Sequence, residues 1–216
     1  MFNLSGWAVL FHPDLLQGTG LEKDIKNFSF FDYRINEALH MSEEEREVMV
    51  AVMKQLEVEL KFPSDEMQNR IIVGFINLLL RYAQRFYNRQ FVSRTIVNNN
   101  ILARFEESLK QYFNGDTKLS RGVPNLHYFA DRLNLSASYL SDVVRKVTGE
   151  TAGNLIRRHI IQIAKNRLIS GMSSSEVAYS LGFEYPQHFA RTFKKITGQT
   201  PTQYLRIRQD KNGSTL

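Results

Sequence analysis

The chain has 216 residues, a formal net charge of +6, and 43% hydrophobic and 23% charged residues, a composition that allows a sizeable core in one or two domains. The absence of cysteine excludes disulfides, thiolate nucleophiles and the usual structural zinc sites. No signal-peptide pattern opens the chain, and no apolar run reaches the roughly 18 residues of a membrane span, so we expect a cytoplasmic protein.

The first 40 residues carry few regular signals. The apolar run Trp7–Phe11 predicts a short buried strand, ended by the polar and proline residues that follow it. Gly18–Gly20 then marks a loop, and residues 28–33 place four aromatic side chains within six positions.

Helical signals begin at Ser42, which forms a capping-box pattern with Glu45. Apolar residues then recur at helical spacing as far as Leu60, and again over a second segment from about Glu66 to Tyr87. A short loop separates the two segments. The pattern therefore predicts an antiparallel helical hairpin with one apolar face to cover.

A third helix is predicted between an asparagine run and a polar segment. Asn98–Asn100 interrupts the chain, and apolar residues at helical spacing follow from Ile101 to Phe113. Residues 114–124 are polar and rich in turn-forming residues, so we expect a domain boundary there.

The charge is divided unevenly along the chain. Residues 1–120 hold 14 basic and 16 acidic side chains, whereas residues 121–216 hold 14 and 6, a net charge of +8. A basic domain behind a slightly acidic one indicates a polyanion as the partner of the carboxyl half. The alternative is a charge excess that only keeps the protein soluble.

The carboxyl half contains an internal repeat. Phe129–Leu135 aligns with Val177–Phe183 at an offset of 48 residues, and after one inserted residue Arg145–Gly149 aligns with Lys194–Gly198 at an offset of 49. Each copy has the punctuation of a helix, a tight turn and a second helix. This pattern is typical of a unit that places its second helix in the major groove of DNA.

Capping residues mark the helix ends of the second copy. Ser173 and Glu176 form a capping box, Gly182 ends the first helix, and Pro186 opens the next, which ends at Gly198. The same analysis predicts how the first copy is capped.

In the first copy the expected caps are Ser136 and Thr151. The helix between the copies, from Ala152 to about Ser170, would be about 28 Å long at 1.5 Å per residue. Successive major-groove openings on one face of the duplex are about 34 Å apart. A spacer of that length would let one monomer place two recognition helices in adjacent grooves.

These motifs resemble those of the AraC/XylS family of transcription regulators. The resemblance covers about residues 117–208 and rests on Ala130–Ser141, Ala164-Lys165, Glu176–Phe183, Phe189–Lys195 and Thr197–Tyr204. It implies a bacterial, seven-helix DNA-binding domain that activates or represses promoters. In the amino half, Gly6–Asp14 resembles the segment that leaves the family's cupin-like effector barrel, most of which we expect to be missing.

The predicted fold is mainly α. Two helix-turn-helix units joined by a spacer helix form the carboxyl half, preceded by a helical linker or dimerisation region and a short β remnant of a cupin-like domain. The expected bounds are 1–40 for the remnant, 41–113 for the helical region, 114–124 for the linker and 125–210 for the double helix-turn-helix domain.

The first recognition helix is expected to bury Leu140, Val143, Val144 and Val147. The residues expected to face outward towards DNA, matched to the family's groove-reading helix, are Ser138, Tyr139, Ser141, Asp142, Arg145 and Lys146. Of these, the two serines and Asp142 would face base edges. An aspartate can accept a hydrogen bond from a cytosine amino group but repels phosphate, so Asp142 either reads a base or only tunes the surface charge.

The second recognition helix is expected to bury Phe189, Phe193 and Ile196. The residues expected to face DNA are Gln187, His188, Arg191, Lys194 and Lys195. Arg191 is the strongest candidate, because a guanidinium can bond guanine at two atoms or clamp a phosphate; the alternative is an ion pair within its own helix.

The other outward residues are expected to play lesser parts. Gln187 is a candidate to read adenine, and the two lysines are expected to meet phosphates, which position the protein without specifying sequence. His188 is expected to pack or to face a phosphate. Arg157 and Arg158 of the spacer helix either contact the DNA backbone or are simply solvated.

The sequence therefore predicts a sequence-specific DNA-binding transcription regulator and not an enzyme. The expected partners are double-stranded promoter DNA, a second copy of the chain through residues 42–91, and RNA polymerase as a further candidate, in a nucleoid-associated protein with no cofactor, metal or membrane contact. One alternative is a helical interaction or dimerisation protein that modulates another regulator and binds DNA weakly. An enzyme targeted by the DNA-binding unit ranks last, because no acid–base or metal constellation appears.

Overall fold

The computed structural model describes residues 6–114 and 122–213. The chain divides into two compact units, Met1–Thr95 and Ile96–Leu216. The described residues are mainly helical and include no strand. Among them, no helix is long and apolar enough to cross a membrane.

The first unit contains three α-helices and several short 3-10 turns. The turns span Pro13–Leu16, Ile25–Asn27, Ser29–Asp32 and Ile35–Glu37. The helices are α1 (Gly20–Asp24), α2 (Glu43–Glu59) and α3 (Gln68–Ser93).

Helices α2 and α3 form the predicted hairpin. The capping box at the start of α2 is confirmed: Ser42 Oγ accepts from the Glu45 amide, and the Glu45 carboxylate accepts from the Ser42 amide at 3.0 Å. The side-chain amide of Gln68 closes the loop by donating to the carbonyls of Glu59 and Phe62, each at 3.1 Å. The apolar faces of the hairpin and the preceding segment share one core, made of Leu16, Leu21, Phe28, Leu56, Ile72, Val73 and Ile76.

The predicted strand at Trp7–Phe11 is wrong, and with it the predicted β remnant of a cupin-like domain. This segment is irregular, and a strand is stable only when a neighbouring strand satisfies its backbone hydrogen bonds. Val9 and Phe11 pack partly against the helical core, while Leu10 is 92% exposed. The apolar run therefore covers helices instead of joining a sheet.

The second unit is built from seven helices in the described residues. They are α4 (Thr95–Asn114), α5 (Leu126–Arg132), α6 (Ala137–Thr148), α7 (Ala152–Ile169), α8 (Ser174–Ser180), α9 (Pro186–Thr197) and α10 (Pro201–Gly213). Its core is aromatic and aliphatic, and its largest fully buried side chains include Phe105, Phe113, Phe129, Leu140, Ile160, Ile161, Leu168, Leu181, Phe189 and Phe193.

The interruption predicted at Asn98–Asn100 is also wrong, because these residues lie inside α4. Asn98 is only 2% exposed, so tertiary burial overrides the weak helix propensity of asparagine. The helical run breaks instead at Arg94, between α3 and α4. The linker predicted at residues 114–124 falls mostly on residues 115–121, which lie outside the described residues.

The sequence repeat is confirmed at the turn of each unit, where equivalent backbone amides make equivalent hydrogen bonds. In the first unit Asn134 donates to Asp131 and Leu135 donates to Ala130. In the second unit Gly182 donates to Tyr179 and Phe183 donates to Ala178. Donors and acceptors are related by the predicted offset of 48 residues.

The offset of 49 is confirmed at the end of each second helix. The hydroxyl of Thr148 donates to the Val144 carbonyl at 2.8 Å, and the hydroxyl of Thr197 donates to the Phe193 carbonyl at the same distance. The next residue in each unit is a glycine in the left-handed region, which ends the helix. The two copies therefore share one backbone design from the turn to the second helix end.

Candidate nucleic-acid interface

The first helix-turn-helix unit comprises α5, a tight turn and α6. Asn134 occupies the turn with φ of 56°, a left-handed conformation that asparagine tolerates better than most residues. The predicted cap is confirmed, since Ser136 Oγ accepts a hydrogen bond from the Tyr139 amide at 3.1 Å. Turn and cap together fix the point at which α6 leaves α5.

The second unit comprises α8, its turn and α9, and its predicted caps are confirmed. Ser173 and Glu176 form the capping box of α8, and Pro186 is the first residue of α9. Gly182 lies in the turn with φ of 85°.

Gly182 is also in close contact with a distant part of the backbone. A Cβ placed there would lie 2.5 Å from the carbonyl carbon and oxygen of Gly122, too close for any side chain. The Gly122 carbonyl in turn accepts a hydrogen bond from the Tyr112 hydroxyl at 2.8 Å. The second turn is therefore held against the segment that precedes the first unit.

Helix α7 joins the two units and matches the predicted spacer. Thr151 Oγ1 accepts from the Asn154 amide at its start, as expected of a cap. Its 18 residues span about 27 Å. Near its end, Arg167 Nη1 donates to the carbonyl and to the hydroxyl of Ser180 at 2.7 and 2.6 Å. Burial lowers the pKa of Arg167, but its high intrinsic value keeps the guanidinium charged.

The outward face of α6 is only partly basic. Arg145 and Lys146 are exposed, whereas Ser138, Ser141 and Asp142 are partly exposed. The opposite face is the predicted core, with Leu140, Val143 and Val144 fully buried and Val147 partly buried.

Tyr139 does not face outward, and that part of the prediction is wrong. Its side chain is 5% exposed. It lies one helical turn before Val143, on the same side of α6, so the helix carries it into the core. Ser136, Tyr139 and Val143 together define the buried edge of this recognition helix.

The outward face of α9 is more strongly basic. Five predicted residues are exposed: Gln187, His188, Arg191, Lys194 and Lys195. Phe189 and Phe193 are fully buried, as predicted. Ile196 is 38% exposed instead of buried, because the last turn of the helix passes beyond the core.

The charges of α9 have no carboxylate to neutralise them within the helix. The twelve residues of α9 include no aspartate or glutamate, which removes the alternative of an ion pair between Arg191 and its own helix. In α6, by contrast, Asp142 offsets part of the charge of Arg145 and Lys146. The second recognition helix is therefore the better surface for a polyanion.

The two spacer arginines already have protein partners. Arg158 forms an ion pair with Glu150 at 2.7 Å, and Arg157 donates to the side-chain carbonyl of Asn154 at 2.6 Å. Both are exposed, so these pairs are individually weak.

One exposed residue at this surface was absent from the predicted set. Tyr185 is the N-cap residue of α9, is 47% exposed and has its ring centroid 5.5 Å from that of His188. The repeat offset of 49 aligns it with Ser136, the N-cap of α6, and this equivalence would have identified it.

Among residues 6–114 and 122–213, no group of three metal-ligating side chains is placed to hold a metal ion. The exposed groups of α6 and α9 are hydroxyls, amides, guanidinium groups and ammonium groups. Such groups recognise an extended anion by charge and hydrogen bonding.

Residues 129–207 match the protein family described as "Helix-turn-helix domain". The carboxyl-terminal part of the chain thus contains a helix-turn-helix domain of the AraC type, as the resemblance predicted.

Two curated proteins are similar to this domain. An uncharacterized HTH-type transcriptional regulator in the cgkA 5′ region of Pseudoalteromonas carrageenovora is 37% identical over 82 residues, 38% of this chain and 49% of that protein. The uncharacterized transcriptional regulatory protein YesN of Bacillus subtilis strain 168 is 32% identical over 91 residues, 39% of this chain and 25% of that protein. The chain thus spans about half or less of the length of these relatives.

Among solved structures, the C-terminal domain of AraT, a response regulator from Geobacillus stearothermophilus, is 26% identical with a TM-score of 0.44. The similarity covers 50% of this chain and 84% of that one.

Proposed function

We propose that this chain is a sequence-specific DNA-binding transcription regulator that inserts α6 and α9 into adjacent major grooves of one duplex. The observation that carries the proposal is the pair of equivalent helix-turn-helix units, each with a polar outward face on its second helix. The spacer of about 27 Å between them is close to the ~34 Å repeat of the groove.

The charge distribution supports a division of labour between the units. Arg191, Lys194 and Lys195 are exposed on α9 without a carboxylate in the helix, so the second unit supplies more of the grip on phosphate. On α6, Ser138 and Ser141 are short polar side chains suited to base edges. The first unit therefore contributes selectivity with less charge.

A selection of sequences from random duplexes with the full chain tests this function. Enrichment of a site with two half-sites about one helical turn apart is the expected result. Binding that enriches no sequence at moderate salt would leave only non-specific attraction between a basic domain and DNA, and the proposal would be abandoned.

We also propose that the first unit pairs with a second copy of the chain through residues 42–91. Its α3 carries Met67, Ile71 and Leu78 with 53, 40 and 41% exposed, at spacings that place them on one helix face. Gly74 lies on the same face, and a Cβ there would meet nothing within 4 Å. An apolar face with a small residue at its centre allows two copies of α3 to approach closely.

The same face favours the second candidate function, a helical interaction protein that modulates another regulator. Sedimentation of the purified chain distinguishes the two: self-association supports the homodimer, whereas a monomer at micromolar concentrations that still binds α-helical partners would support the second candidate.

A further inference from the structure

The second unit has a polar groove that the proposed DNA contacts do not use. The groove has a volume of about 390 Å³ and lies between α4 and α7. Its polar lining comprises Glu106 and Lys110 of α4, and Arg158, His159 and Gln162 of α7. Grooves that hold small molecules have volumes of about 300–1,000 Å³, so this one is large enough for a small ligand.

Several of these polar groups lack a partner within residues 6–114 and 122–213. The Nε2 atom of His159 is buried and makes no hydrogen bond there. The ammonium of Lys110 and the side-chain amide of Gln162 likewise form no ion pair or hydrogen bond with the described residues. Native proteins leave few buried polar groups unsatisfied, and those that remain often face a ligand or water.

The rest of the lining suits a short aliphatic group. Leu109 and Leu155 line the groove and are 0 and 5% exposed, so they offer apolar surface without opening the core. A ligand with a charged head and a short apolar tail would use both kinds of surface.

The charges select an anionic head. Arg158 is already paired with Glu150 at 2.7 Å, which leaves Lys110 as the cation without an ion pair in this groove. Glu106 is the opposing charge, and it would weaken the binding of an anion without preventing it. The ring of His159 is flanked by Phe113 of α4, with centroids 6.0 Å apart.

We propose that the groove between α4 and α7 binds a small organic carboxylate, held by Lys110 and Gln162 with its apolar part against Leu109 and Leu155. This site is independent of DNA binding, since none of these residues belongs to α6 or α9. Its occupation would add a negative charge next to the helix that joins the two helix-turn-helix units.

His159 provides a direct reporter of occupation. Burial lowers its pKa, Lys110 lowers it further, and Glu106 acts in the opposite direction. A carboxylate bound beside Lys110 would screen that ammonium and stabilise the imidazolium. Occupation should therefore raise the pKa of His159.

The test is an NMR titration of the imidazole signals of the full chain with sodium butyrate. Sodium chloride at equal ionic strength and ethylammonium chloride serve as controls. A saturable shift of the His159 signal with butyrate alone, together with a raised pKa at saturation, is the expected result. A shift that grows linearly and equally with butyrate and chloride would overturn the proposal.

Two exposed variants make the test specific to this groove. Lys110→Met should weaken butyrate binding about fivefold, the effect of removing one partly exposed ionic contact, and Glu106→Gln should strengthen it by a similar factor. Glu107→Gln is the matched control, because this carboxylate lies on the same helix but bonds to Gln111 at 3.1 Å, outside the groove. Unchanged affinity in both Lys110→Met and Glu106→Gln would also overturn the proposal.

Discussion

The guanidinium of Arg167 on α7 donates two hydrogen bonds to Ser180 at the end of α8, one to the carbonyl at 2.7 Å and one to the hydroxyl at 2.6 Å. The positive charge thus lies at the carboxyl end of a helix, where the helix dipole stabilises cations. This contact ties the spacer to the second helix-turn-helix unit.

Arg167→Met should lower the free energy of unfolding by about 1.5–3 kcal/mol, since hydrogen bonds from a charged donor are lost and the Ser180 carbonyl is left without this partner. Arg158→Met is the matched control on the same helix. Its ion pair with Glu150 has an exposed arginine, so its loss should cost less than about 1 kcal/mol. Urea denaturation measures both, and equal losses would contradict the assigned role of Arg167.

Gly182→Ala should destabilise the second unit more than Gly198→Ala. Both glycines have positive φ, which costs a substituted alanine about 1–2 kcal/mol. Only Gly182 would also bring a Cβ within 2.5 Å of the Gly122 backbone, whereas a Cβ at Gly198 meets nothing within 4 Å. Thermal unfolding of the two variants provides the comparison, and identical melting temperatures would mean that the Gly122 segment simply moves aside.

Arg191→Ala should reduce the affinity for the selected DNA site by about 1–3 kcal/mol and relax the preference at one base position, if its guanidinium reads a base. Lys195→Ala should weaken binding to all sequences alike and reduce the salt dependence by about one counterion. Fluorescence anisotropy with the selected site and with single-base variants separates these outcomes. Equal losses on every sequence for both variants would assign Arg191 to phosphate.

Leu78→Glu should shift the chain towards the monomer, because it places a charge on the apolar face of α3. Ile35→Glu is the control in the same unit, since Ile35 is 96% exposed and lies outside that helix. Sedimentation equilibrium measures the dissociation constant of each. A Leu78→Glu chain that associates like the unaltered protein would place any dimer interface elsewhere.

The stability of the protein should fall as the pH drops below about 6.5, the ordinary histidine pKa. Burial lowers the pKa of His159 in the folded chain, so the unfolded chain binds more protons in this range and is favoured by acid. His159→Leu should flatten this part of the profile, whereas His188→Leu, at an exposed position, should not. Urea denaturation between about pH 5 and 7.5 isolates the effect, because carboxylates titrate at lower pH.

The repeat was predictable because it depends on local signals. Caps such as Ser136 and Ser173, and the left-handed position at Gly182, are set by backbone hydrogen bonding within a few residues. Their spacing alone therefore places two equivalent units and the spacer between them.

The wrong predictions concern features that depend on distant neighbours. Trp7–Phe11 has the composition of a strand but no strand to pair with among the described residues, and Asn98 is helical because its surroundings bury it. Tyr139 has a polar group and was placed outside, yet its position one turn before Val143 buries it. Composition did not reveal these contacts, whereas helical phase could have corrected Tyr139.

The approach of Gly122 to Gly182 also orders the assembly of the second unit. Contacts between residues 60 positions apart carry a high loop-closure cost, so they form late in folding. The turn of the second copy is completed only after the first copy has brought the Gly122 segment into place. The two copies look interchangeable in sequence, but they mature as one cooperative body, and the second copy alone would lack its own cover.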